Sequence, residues 1–230
     1  MTLQEAIKQR HSVRRYVHKP LSAEIVETLR KKIEECNAEG GLHIQLVTNE
    51  TRAFTGLFSY GKFSGVENYI VMVGKKADDL DERVGYYGEQ LVLLAQTLGL
   101  NTCWAGLSYR RVDEAYSVGD DEKLTCMIAL GYGATQGHKR KSKTAEQVSN
   151  VGSDSPEWFR NGVEAALLAP TAINQQKFSF TLLPNEQDTE DKPKVLAKRG
   201  FSMVGYTKMD IGIARLHFEI GAGTENFDWA

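Results

Sequence analysis

Cysteine is scarce in this chain: three in 230 residues, Cys36, Cys103 and Cys126, far apart and without a C-x-x-C pair. That excludes a disulfide framework or a thiolate zinc site and points to a reducing, cytoplasmic setting. The five histidines, at 11, 18, 43, 138 and 217, show no ligand spacing, so no metal is expected. No apolar run is long enough to span a membrane. Met1 to Arg10 also lacks the apolar core of a signal peptide. Neither charge dominates: 28 Lys and Arg against 30 Asp and Glu leave a net charge of -2. A surface-wide nucleic-acid interface is therefore not expected. Hydrophobic content of 41% with so little net charge excludes disorder. What is left is a soluble globular chain, long enough for one large or two small domains.

Common catalytic signatures are missing as well. Gly131-Tyr132-Gly133-Ala134-Thr135-Gln136-Gly137 has one residue too many for a dinucleotide loop and no helix pattern after it. There is no phosphate loop of the G-x-x-x-x-G-K type, no G-x-S-x-G elbow and no H-E-x-x-H pair.

What is present is a regular run of elements. Thr2 and Glu5 form a capping box for a short helix to about Gln9. Ser22 caps a second helix, apolar at Ile25, Leu29, Ile33 and Cys36, which Gly40-Gly41 ends. His43 to Thr48 alternates as a strand, and Tyr69 to Val73 is a continuous apolar strand covered on both faces. Gly85 to Leu98 reads as a helix buried nearly all round. Leu124 to Leu130 is another strand, followed by a polar loop from Gly131 to Asn150. Ser155-Pro156 starts a helix that Pro170 closes. Phe178 to Leu182 is a strand, 184–199 a surface loop, Phe201 to Gly205 a short strand, and Asp210 to Gly221 the last helix. The order helix, strand, strand, helix thus occurs twice, which predicts an internal duplication divided at about residue 150.

Three clusters could carry chemistry. Arg10-His11-Ser12-Val13-Arg14-Arg15 offers planar guanidinium donors for a phosphate or a heterocycle edge; taken alone, it is equally a solvated basic turn. Lys139-Arg140-Lys141-Ser142-Lys143 suits an anion, or is simply an exposed basic run. Ala169-Pro170-Thr171-Ala172-Ile173-Asn174-Gln175-Gln176 puts amides that donate and accept beside a helix end, or is ordinary turn chemistry. Aromatic Phe58, Tyr60 and Phe63 among Gly56, Gly61 and Gly65 suggest a flap or an anchored loop. Cys103 and Cys126 read as inert core residues.

Together these clusters resemble the flavin-dependent nitroreductase superfamily. Arg10-His11-Ser12-Val13-Arg14 resembles its opening motif. Ala169 to Phe178 is similar to its A-P-S-x-x-N-x-Q-P-W segment, with Lys177 for the usual Pro and Phe178 for the usual Trp. The helix from Gly85 to Leu100, the turn Thr102 to Gly106, and Leu130-Gly131-Tyr132 leading to Lys139–Lys143 complete the likeness. In ordinary members the A-P-S segment follows the opening motif closely. Here it lies in the second half, as in the divergent, internally duplicated TM nitroreductase type.

The resemblance implies an α+β nitroreductase-like fold of two pseudo-repeated halves, with antiparallel-rich sheets around central buried helices. Residues 1–150 would carry the Arg10–Arg14 and basic phosphate segments, and 151–230 the A-P-T-x-x-N segment. The second half would play the partner subunit of the family's homodimer, giving one FMN per chain and a monomeric pseudo-dimer or a homodimer. Arg10, Ser12 and Arg14 would contact phosphate, ribityl chain and pyrimidine edge, with His11 contributing backbone. Lys141 and Lys143 would complete phosphate binding. Backbone N–H groups near Ala105 and Gly106 would face the reactive flavin nitrogen, and Pro170, Thr171, Asn174 and Gln175 would close the other side. The implied activity is reduction of nitroaromatics, quinones or similar electron-poor small molecules with NADH or NADPH. No side chain is needed as acid or base, since the flavin carries the chemistry. The alternative is a flavin-binding or redox-sensing protein without turnover.

Overall fold

The computed structural model describes residues 1–55, 63–137, 140–184 and 192–230. Helix α1 (Leu3–Gln9) has the expected capping box: the Thr2 hydroxyl accepts from Glu5 N–H, and the Glu5 carboxylate accepts from Thr2 N–H. Helix α2 (Ala23–Gly40) is capped by Ser22 and ends on Gly41 at φ 57°, the left-handed turn that glycine enters without a Cβ penalty. Strands β1 (Gln45–Val47) and β2 (Asn68–Lys75) follow, then α3 (Leu80–Thr97), β3 (Asn101–Ala105) and β4 (Glu122–Gly131). The second half holds α4 (Glu157–Leu167), β5 (Phe178–Leu182), β6 (Lys194–Arg199), α5 (Thr207–Ala222) and the two-residue β7 (Asp228–Trp229).

The first sheet runs β1-β2-β4-β3, antiparallel throughout. Side chains of β2 alternate between two faces, as the two-residue period of a strand requires. Ile70 and Met72 enter the main core, while Tyr69, Val71 and Val73 enter a second cluster with Val13, Phe54 and Phe63. The strand is therefore covered on both faces, as its unbroken apolar run predicts. The second sheet is β5-β6-β7, with β5 and β6 antiparallel and β6 and β7 parallel.

The main core is shared by both halves. It joins Leu29 and Ile33 of α2, Leu91 and Val92 of α3, Phe159 and Val163 of α4, Phe178 and Phe180 of β5, and Ile211, Ile213, Ala214 and Phe218 of α5. Helices α3 and α5 touch backbone to backbone. A Cβ on Gly85 would lie 2.1 Å from Met209 O, and one on Gly212 would lie 2.1 Å from Glu82 O. Only glycine permits that approach.

Four expectations need correction. Phe201 to Gly205 is not a strand but a loop, with Phe201 and Met203 almost wholly exposed. The strand lies earlier, at β6, inside the stretch expected to be surface loop; Lys194, Lys198 and Arg199 gave it a polar look while Val195 is fully buried. The expected turn from Thr102 to Gly106 is largely β3. Helix α3 begins five residues before Gly85, at Leu80, because Leu80 and Val84 already pack in the core. The order helix, strand, strand, helix persists in both halves with β6 in place of the expected strand. The remaining flap residues Gly56, Phe58, Tyr60 and Gly61, with His138, Lys139 and residues 185–191, lie outside the described residues.

Candidate functional site

At its outer edge β3 meets the Arg10–Arg14 segment: Ser12 bridges Thr102 in parallel, and Val13 N–H donates to Thr102 O at 3.0 Å. This extra pairing carries Ser12 and Arg14 to the end of β3, where a cavity of about 320 Å³ opens between the halves. From the first half it takes Ser12, Arg14, Phe63, Trp104, Ala105 and Gly106; from the second, Pro170, Thr171, Ile173, Tyr206, Asp210 and Ile213. That volume is at the small end of ligand pockets. A larger groove of about 520 Å³ lies along α3 and α5. Its charges satisfy each other, Arg83 with Asp79 at 3.0 Å and Arg215 with Glu82 at 2.8 Å, so it offers a ligand little.

Six of the twelve expected site residues line the cavity: Ser12, Arg14, Ala105, Gly106, Pro170 and Thr171. The Arg14 side chain is exposed, and among the described residues its guanidinium makes no hydrogen bond or ion pair, so its charge is free to meet an anion. Gly106 is tightly covered, since a Cβ there would come within 2.5 Å of the Tyr206 ring.

Arg10 goes elsewhere. It is buried, with Nη1 3.5 Å from Leu168 O and Nε 3.9 Å from the Glu89 carboxylate. Arg140 joins it, donating to Leu167 O and Ala169 O. Together they satisfy the carbonyls at the end of α4, where cations are favoured. Burial first, then the charge of Arg10, pulls the Arg140 guanidinium down to about 10. Glu89 anchors the cluster: fully buried, it accepts from Trp104 Nε1 at 2.8 Å and faces His217 Nε2 at 3.0 Å. A lone carboxylate on a helix read as buried all round was the sequence signal for this network, and it was missed.

The other expected residues do not line the cavity. Lys143 donates its backbone N–H to the Gln176 amide oxygen and its ammonium to Gln176 O. Asn174 Nδ2 donates to Lys141 O at 2.6 Å, while the Lys141 side chain is exposed. His11 packs beside Gly137. Within the Pro170–Gln176 segment Ala172–Asn174 forms one irregular turn, and Ile173, Asn174 and Gln176 stand at φ 46°, 58° and 45°. For a β-branched residue such as Ile173 this left-handed conformation is a genuine outlier costing about 1–3 kcal/mol. Two buried amide oxygens there, Asn174 Oδ1 and Gln175 Oε1, have no partner among the described residues.

Asp210, not expected at the site, lines the cavity and is almost fully buried. Burial pushes its carboxyl up to about 6, although hydrogen bonds from Ala172 and Gln175 pull the other way. Cys126, also on the wall, is pushed up to about 12 by burial and is inert as a nucleophile.

The sequence profile of the family described as "Putative TM nitroreductase" matches residues 2–222. The chain belongs to that family. A crystal structure of a putative nitroreductase from Thermotoga maritima aligns over 96% of this chain and 83% of its own, with a TM-score of 0.62 and 23% identity. A putative nitroreductase in complex with FMN from Desulfovibrio desulfuricans aligns over 68% of this chain and 98% of its own, with a TM-score of 0.51 and 16% identity. A putative NADH dehydrogenase/NAD(P)H nitroreductase from Parabacteroides distasonis covers 65% and 98%, with a TM-score of 0.51 and 19% identity. At these identities the solved structures establish the nitroreductase-like fold. A comparison with curated proteins finds no match. No helix among the described residues of this family member is long and apolar enough to cross a membrane.

Proposed function

We propose that the protein is an FMN-dependent oxidoreductase that draws on NADH or NADPH to reduce a nitroaromatic, quinone or similar electron-poor small molecule. The observation that carries this reading is the composite cavity: Ser12 and Arg14 from one half meet Pro170 and Thr171 from the other. One chain thereby completes a site that the family resemblance assigns to two subunits, and one flavin per chain follows.

The residues present suit a flavin. The Arg14 guanidinium, without a partner among the described residues, matches a phosphate or an electron-rich ring edge. Asn174 Oδ1 and Gln175 Oε1, next in the chain to the lining residues Thr171, Ala172 and Ile173, are buried acceptors with no donor among the described residues. Ser12 adds a hydroxyl at the wall, while Phe63, Trp104 and Ile213 exclude water from it. Arg10 and Arg140 would act at one remove, by fixing the end of α4 from which the Pro170 segment leaves. Lys141 and Lys143 stand behind that segment, where Lys143 ties down Gln176. When bound, FMN supplies the two-electron chemistry itself, and the chain's task is to hold, orient and shield it.

The test is the visible spectrum of the purified protein after FMN is added and the excess removed, with flavin counted per chain. About one flavin per chain, lost in Arg14→Ala and Asn174→Ala, supports the composite site. Bleaching of that flavin by NADH or NADPH and its return with a nitroaromatic or quinone establishes turnover. Flavin retained without bleaching leaves a binding or sensing protein, and a folded protein that takes up no flavin overturns the proposal.

A further inference from the structure

The turn from Ala172 to Asn174 closes on few bonds of its own, chiefly Asn174 N–H to Thr171 O at 2.9 Å and Gln175 N–H to Ala172 O at 3.0 Å. Three of its region's non-glycine residues sit in the left-handed region within four positions, Ile173, Asn174 and Gln176. Such backbone persists only where its surroundings over-determine it. Asn174 and Gln176 are held from the 141–143 side; on the cavity side the holding group is Asp210, reaching in from the first turn of α5. Its Oδ1 accepts from Ala172 N–H at 2.9 Å, and its Oδ2 accepts from Gln175 Nε2 at 2.7 Å. The same Gln175 amide nitrogen donates to Gly205 O at 3.0 Å. One carboxylate therefore joins three pieces of the cavity wall: the turn, α5, and the corner at Gly205 and Tyr206. That corner is itself left-handed, at φ 79° and 61°, and carries the tyrosine that covers Gly106.

We propose that Asp210 is the positioning residue of this site, its carboxylate clamping the Ala172–Asn174 turn and, through Gln175, the Gly205–Tyr206 corner in the arrangement that receives the flavin. The choice of ligand rests on the flavin reading above; the clamp itself rests only on the geometry. Both of its hydrogen bonds come from donors, so both need a group with two accepting oxygens. A protonated carboxyl accepts from Ala172 but must donate through its O–H. The acceptor at hand is Gln175 Oε1, which is buried without a partner among the described residues. Turning the Gln175 amide to meet it withdraws Nε2 from Gly205 O and frees the corner. Asn at 210 imposes the same exchange at every pH.

The clamp is thus pH-dependent, closing as pH rises through about 6, the value to which burial pushes Asp210. Other titratable groups facing the cavity are Arg14, Tyr206 and Cys126. The phenol and the thiol are both pushed up by burial and stay neutral in this range, and arginine keeps its charge. Lys208, the nearest charge on α5, points away to Asp78 O.

The experiment follows FMN affinity by fluorescence quenching at pH 5 and pH 8 in the wild type, Asp210→Asn and Asp210→Ala. Amide hydrogen-exchange protection of residues 172–176 is measured on the same proteins without flavin. The wild type should bind FMN at least tenfold tighter at pH 8 than at pH 5. Asp210→Asn should bind with the weaker affinity at both values, its pH dependence gone, while Ala172 keeps its protection. Asp210→Ala should lose at least tenfold in protection over 172–176. A flat wild-type profile, or wild-type affinity at pH 8 in Asp210→Asn, overturns the proposal. Should the wild type take up no FMN, the flavin reading fails separately; protection over 172–176 in Asp210→Ala then upholds the clamp if lost and refutes it if unchanged.

Discussion

Trp104 gives its indole N–H to Glu89 across 2.8 Å, tying the wall of the cavity to a carboxylate with no exposure to water. Glu89 is also the counter-charge to buried Arg10 and the neighbour of buried His217. Removing one partner from such a cluster leaves the rest uncompensated, at about 3–5 kcal/mol. Glu89→Ala should therefore lower stability by that order in urea denaturation. Glu89→Gln should cost less, since its amide oxygen still accepts from Trp104.

Arg10 and Arg14, four residues apart, should fail differently when changed to Ala. Arg14 is exposed on the cavity and unpartnered among the described residues. Its loss should leave the melting temperature within a degree or two while weakening FMN binding about 10- to 100-fold, the worth of a charge-assisted contact. Arg10→Ala should lower the melting temperature, because it strips Leu168 O and Glu89 of a buried cation. Parallel melting curves and FMN titrations separate the two.

Asp210 carries a stability prediction of its own. Its carboxyl is raised from 3.8 to about 6 in the fold, so the native state holds the proton more tightly than the unfolded chain. The stabilisation is fully present below about pH 4 and lost as pH rises through about 6, some 3 kcal/mol for a shift of about two units. Asp210→Asn should gain on the wild type between pH 4 and pH 8, read as the difference between their urea curves. A difference that does not change with pH would contradict this.

Ile173 is 79% exposed and left-handed, so its side chain gains little from packing while its backbone is strained. Ile173→Asn should stabilise the protein by about 1 kcal/mol, since asparagine tolerates this region. The melting temperature should rise.

Much of the fold was legible because local signals and burial agreed. Thr2 with Glu5, Ser22, and Gly41 mark helix ends by satisfying or bending the backbone, and β2 announces burial on both faces by having no polar alternation. The β6 strand and the 201–205 loop were exchanged for a physical reason. Val195 is buried between lysines that reach solvent from an otherwise ordinary strand, whereas Phe201 and Met203 are apolar yet exposed. The site was half legible: motif likeness found Ser12, Arg14, Pro170 and Thr171, which line the cavity. It also named Arg10, whose place against α4 depends on tertiary contacts. Asp210 reads in sequence as one more polar residue at a helix start. Only the fold shows which N–H groups its carboxylate meets.

The glycine contact between α3 and α5 also bears on how a molecule enters. At Gly85 and Gly212 each helix presses on the other's carbonyls, and helices in such contact can neither roll nor slide apart by small steps. The two halves then have no hinge at their centre. Among the described residues, the cavity-side segments outside that contact are the turn at 171–176 and the corner at 200–206, so the entry and exit rates of a bound molecule should respond to substitutions there more than to substitutions in the helix pair.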